Sequence, residues 1–129
     1  MYEKEVLNGA AWLDRMNPGW YKKVELNGLD LMYPSSCSLG QTLGKNVSTH
    51  LCDDMAFSVS HGFNLRLLPT IETQTKGYIF KKKVEVQVPV SPERRNKSFS
   101  VLTAAWIQEI LRRREKDRLM KEAQEALHP

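Results

Sequence analysis

The sequence predicts a single α+β domain, a small helical body carrying one β-hairpin and a long C-terminal helix. Three observations predict it. Apolar residues recur at helical spacing over residues 3–16 and again from about residue 98, the period drops to two between Gly77 and Val90, and 129 residues at 41% apolar suffice for one core but not for two ordinary domains. The implied division is a helical part over 1–66, a hairpin over 67–91 and a closing helix over 92–129.

Over residues 3–16, Val6, Leu7, Ala10, Ala11 and Leu13 recur at helical spacing, with Glu3, Lys4, Glu5, Asp14 and Arg15 on the other side. Asn17-Pro18-Gly19 stops that helix, because the residue before proline avoids helical geometry and glycine permits a turn; Trp20 and Tyr21 can then fold back, with a loop at Asn27-Gly28. Pro34-Ser35-Ser36 offers a serine cap for a helix carrying Cys37, Leu39, Leu43 and Val47, in which Gly40 and Gly44 share a face. A third helix is expected over 48–61, with Asp53 and Asp54 in its first turns and Gly62 ending it.

Tyr78, Phe80, Lys82, Val84, Val86 and Val88 alternate with Ile79, Lys81, Lys83, Glu85 and Gln87, which predicts a strand with one apolar face. With Thr70, Ile71, Thr73 and Thr75 before it and Lys76-Gly77 as a turn, residues 69–90 read as a hairpin. Phe99, Leu102, Trp106 and Ile110 then mark the buried stripe of a helix from about Ser98 to Leu127. Beyond Leu111 the stripe thins to Leu119, Met120, Ala123 and Leu127, so the last turns are expected to project or to dock on a partner. The expected core is Trp12, Trp20, Leu39, Leu43, Phe63, Leu102, Trp106 and Ile110.

Several function classes find little support. No stretch is long and apolar enough to cross a membrane, the N-terminal residues are charged, and two cysteines make no disulfide framework, which together point to the cytoplasm with reduced thiols. Cys37, His50, Cys52 and His61 have zinc chemistry but not the spacing of a standard finger. The same cysteines and histidines with Asp53 or Asp54 carry no local signature of a nucleophilic triad, and the glycines match no phosphate loop or dinucleotide fingerprint. No enzyme, metal or cofactor is expected.

Charge is uneven. Residues 1–75 hold 6 basic and 8 acidic side chains, whereas 76–129 hold 13 and 7, within a net charge of +4. Lys81, Lys82 and Lys83 beside Tyr78 and Phe80, with Arg94, Arg95, Arg112, Arg113 and Arg114, are the residues a nucleic-acid interface would use. Pairs such as Glu109 with Arg113 and Asp117 with Lys121 are expected to neutralise part of the helix.

Leu13-Asp14, Pro18-Gly19-Trp20, Leu29-Asp30-Leu31, Cys37 with Leu39-Gly40-Gln41, Gly62-Phe63, and Leu102-Thr103-Ala104-Ala105-Trp106 with Arg112-Arg113-Arg114 form a recognisable series. On these motifs, covering about half of the chain, the sequence resembles a type of small protein encoded by actinobacterial phages and their prophages, relative to whose shorter members the hairpin is an insertion. The resemblance implies a phage-borne accessory protein in the host cell and no particular reaction. The leading expectation is a non-enzymatic protein that binds a host or phage protein through Tyr78 and Phe80 of the hairpin and Leu119 and Met120 of the distal helix. Nucleic-acid binding is the alternative. The distal apolar line could equally pair with its own copy.

Overall fold

The computed structural model describes residues 1–33, 36–65, 71–89 and 92–127, with the side chains of Ile71, Glu72, Pro89 and Arg95 outside the description. Pro34 and Ser35, Thr70 and the expected boundary at 66/67 lie outside the described residues, as does residue 91 on the hairpin side of the expected boundary at 91/92. Helices α1 (Glu3–Met16), α2 (Trp20–Lys23), α3 (Ser38–Leu43), α4 (Lys45–Asp53) and α5 (Met55–Ser60) precede an antiparallel hairpin of β1 (Ile71–Ile79) and β2 (Lys82–Pro89). A 36-residue helix, α6 (Pro92–Leu127), closes the chain. This is the small α+β architecture that the periodicities predict.

The helix α1 spans the predicted residues, but its buried stripe is Val6, Gly9, Ala10 and Leu13; Leu7 and Ala11 face outward. Gly9 is required by proximity: a Cβ there would stand 2.0 Å from the His61 carbonyl oxygen and 2.9 Å from the Trp106 ring. The core stacks Phe63 on Trp106 at 5.4 Å, with Trp20 edge-on to Trp106 at 5.7 Å. Each buried indole N–H finds an acceptor, Trp106 Nε1 donating to the Gly62 carbonyl at 2.6 Å and Trp20 Nε1 to Asp14 Oδ1 at 3.0 Å. Of the expected core, Trp12 and Leu43 are partly buried against it, and Val6, Val24, Leu29, Leu31, Cys37 and Phe99 join it.

Four expectations are corrected. Gly44, at φ 91°, ends α3 and leads into α4, so Val47 belongs to α4 and is exposed. The helix expected over 48–61 breaks at Asp54, whose carboxylate accepts from the Phe57 N–H at 3.1 Å and caps α5; Asp53 closes α4 instead of opening a helix. The cap of α3 is the Cys37 sulfur, which accepts from Gly40 N–H, and not a serine. Pro92 starts α6 six residues before Ser98, as proline tolerates the first turn of a helix.

The hairpin also turns elsewhere. Phe80 and Lys81 form its turn, at φ 50° and 62°, while Lys76 is the extra residue of a bulge between Thr75 and Gly77. Tyr78 therefore pairs with Lys83, on the face opposite Val84, Val86 and Val88, and Ile79 takes the place on the valine side that the alternation gave to Tyr78.

Candidate functional site

The hairpin presents the most exposed apolar residues of the described chain away from its ends. Phe80 is 95% exposed, Tyr78 71% and Ile79 59%. Two positive-φ residues in succession make a tight two-residue turn whose twist suits a hairpin, but such turns ordinarily use Asn, Asp or Gly. Phe80 and Lys81 each bear a Cβ that disfavours this region, at a cost on the order of 1 kcal/mol each. Val84, Val86 and Val88 are half-buried and nearly all other described hairpin side chains are exposed. No helix packs extensively along either strand among the described residues. Ile79 is the apolar tip residue absent from the expected site; the sequence signal for it is its apolar character beside Phe80.

The lysines of the hairpin are exposed but do not share a face. Lys81 sits in the turn, Lys82 pairs with Ile79, and Lys83 pairs with Tyr78 and makes an ion pair with Glu85 at 3.2 Å. Arg94 is exposed in the first turn region of α6, and the Arg95 side chain lies outside the described residues.

The run of three arginines in the middle of α6, Arg112 to Arg114, makes contacts within the fold. Arg112 chelates Glu109 through Nε and Nη2 at 3.0 and 2.6 Å. Arg113 joins Glu109 at 2.9 Å to both oxygens of Asp14 and lies over the Trp20 and Tyr21 rings at 5.8 and 5.9 Å. Arg114 donates to the carbonyls of Tyr21 and Val24 at 3.0 and 2.5 Å. Burial would push the Glu109 carboxyl up, but the hydrogen bonds from Arg112 and Arg113 outweigh it and hold the group below the usual carboxylate range. The nucleic-acid set thus divides into exposed residues, namely the hairpin lysines, Arg94 and Arg112, and the two arginines Arg113 and Arg114 that turn toward α1 and α2.

Asp117, hydrogen-bonded by the Tyr21 hydroxyl and 3.6 Å from Lys22 Nζ, is the last residue of α6 held by the body of the protein. From Arg118 to Leu127 every residue is exposed, a stretch of about 15 Å of helix. Leu119 and Met120, 53% and 55% exposed, lie there with Ala123 along a shallow strip edged by Arg112, Glu115 and Lys116.

The four residues of zinc-like chemistry separate. His50 is exposed, and His61 stacks on Phe57 at 4.2 Å while its Nδ1 lies 2.7 Å from the Phe57 carbonyl. Among the described residues no three His, Cys, Asp or Glu side chains gather closely enough to hold a metal. The two cysteines do meet. Cys37 Sγ lies 3.1 Å from the buried Ser48 hydroxyl and 3.3 Å from Gly40 N, and the Cys52 thiol, one turn after Ser48 on α4, hydrogen-bonds to it. That thiol, the Ser48 hydroxyl and the backbone N–H groups of Gly40 and Leu39 overcome burial and bring the Cys37 pKa down to about 6. The same bond, and burial, push Cys52 up.

No family description, curated protein or solved structure matches this chain.

Proposed function

We propose that the chain is a non-enzymatic interaction protein that captures a protein partner with its hairpin and the distal part of α6. The observation carrying this reading is Phe80, a phenyl ring 95% exposed at a turn whose two residues both hold positive φ. Exposed aromatic surface and backbone strain both cost free energy in the unbound chain, and burial against a partner offsets them. Tyr78 and Ile79 enlarge the same apolar tip. Each strand of the two-stranded sheet also keeps an outer edge that no other described strand pairs, suited to strand addition by a partner. Leu119 and Met120 supply a second patch on the exposed end of α6. The resemblance to small phage-encoded proteins supports an accessory role in the host cell, with a host or phage protein as the partner.

A second reading, nucleic-acid binding, is favoured by Lys81, Lys82 and Lys83 standing exposed around the same aromatic tip. One experiment separates the two. Tagged protein is used for a pull-down from actinobacterial lysate, with and without nuclease and at low and high salt. The interaction reading expects one stoichiometric protein retained through nuclease and salt and lost with Phe80→Ser. Recovery of nucleic acid, with accompanying proteins released by nuclease or salt, overturns it.

A further inference from the structure

The Cys37 and Cys52 pair lies in the helical body and plays no part in the proposed partner surface. Cys37 is 1% exposed at the start of α3, Cys52 is half-buried near the end of α4, and the buried Ser48 hydroxyl sits against the Cys37 sulfur one helical turn before Cys52. Cys52 Sγ lies 4.0 Å from the Phe63 carbonyl, at the edge of the aromatic core. Two sulfurs in hydrogen-bond contact, one shielded and one reachable from solvent, are the arrangement of an attacking and a resolving thiol.

We propose that Cys37 and Cys52 are a thiol-oxidation site that closes to a reversible intramolecular disulfide when it meets hydrogen peroxide. Cys52, the thiol that solvent reaches, gives its proton to water as its sulfur attacks. The Cys52 thiolate bonds to one peroxide oxygen, the O–O bond breaks and hydroxide leaves, so Cys52 becomes a sulfenic acid and the peroxide is reduced. Cys37 then attacks the Cys52 sulfur. The S–S bond forms, the S–O bond breaks, and the departing hydroxyl takes the Cys37 proton and leaves as water. The net change is two electrons from two thiols to one peroxide, with two waters released, since the hydroxide takes up the proton that Cys52 lost.

The bridge would tie the first turn of α3 to the last turn of α4 across Gly44. It would raise the melting temperature by roughly 10 °C, because it closes a loop of about 15 residues in the unfolded chain.

The test exposes the full chain to hydrogen peroxide and reads its intact mass, free thiols and peptide map. The expected product is a monomer lighter by about 2 Da, with both thiols lost, a Cys37–Cys52 cross-linked peptide, and full reversal by dithiothreitol. Separate oxygen additions on either sulfur, disulfide-linked dimers without the internal cross-link, or unreacted thiols overturn the proposal. A second measurement needs no oxidation. Phenylarsine oxide, which bridges adjacent thiols, should bind one per chain and fail to bind Cys52→Ser, a change at the half-buried position that the circular dichroism spectrum will show to be folded. Equal binding by that variant also overturns the proposal.

Discussion

Arg113 holds Asp14 across 99 residues of chain, its Nη1 lying 2.6 and 2.8 Å from the two carboxylate oxygens. The contact fastens the last turns of α1 to the middle of α6, and the same guanidinium satisfies Glu109, which is only 8% exposed. Removing Arg113 leaves that carboxylate with Arg112 alone. Arg113→Met should therefore cost about 2 kcal/mol, below the usual range for breaking a buried pair because the Asp14 side chain is 41% exposed. Arg112→Ala, at a side chain 57% exposed, should cost less than about 1 kcal/mol. Urea unfolding midpoints of the two variants check the difference.

The same cluster sets a pH dependence. Glu109 titrates below its ordinary value in the folded chain, so its contribution is present above the unfolded carboxylate pKa, about 4.3, and is lost as pH falls through the lower folded value. The Glu109 contribution should be level near neutrality and decline in acid. Glu109→Gln should flatten part of that acid decline while lowering stability at pH 7, which urea midpoints measured from pH 7 to pH 3 will reveal.

Gly9→Ala should cost about 3 kcal/mol, at the upper end for overpacking, because the new methyl would meet the His61 carbonyl and the Trp106 ring together. Gly28→Ala, where nothing lies within 4 Å, is the control and should change the melting temperature little.

At the hairpin, Phe80→Asn with Lys81→Gly supplies the residue types that two positive φ values favour. Amide exchange in β1 and β2 should slow by several-fold as about 1 kcal/mol of strain is relieved. Partner capture should fall in the same variant, since the phenyl ring is gone. Slower exchange with undiminished capture would remove Phe80 from the interface.

Ending the chain after Asp117 deletes only exposed residues of α6. The melting temperature should move by less than about 2 °C, because no buried contact is lost. Capture should weaken if Leu119 and Met120 touch the partner.

Much of this fold was legible in the sequence. The stripes Val6-Ala10-Leu13 and Leu102-Trp106-Ile110 stand out because a helix repeats its facing every three to four residues, and both reach the core. The turn of the hairpin was not legible. Lys76-Gly77 has the composition of a turn yet forms a bulge, whereas Phe80-Lys81 turns without a Gly, Asn or Asp. That displacement changed which face Tyr78 occupies.

The run Arg112-Arg113-Arg114 looks like a solvated charge cluster, and its separate duties depend on where Asp14, Tyr21 and Val24 come to rest. Such pairings across the fold carry no local signal. The meeting of Cys37 with Ser48 and Cys52 likewise needed the reversal at Gly44, which a continuous helix would have prevented.

Ile71 and Pro89 are Cα partners at the base of the hairpin, so its two strands begin and end side by side, about 5 Å apart. An element hung in this way is separable in evolution. Its tip can be rewritten, lengthened or lost through changes confined to one stretch of gene, while the tryptophan-lined body is inherited unaltered.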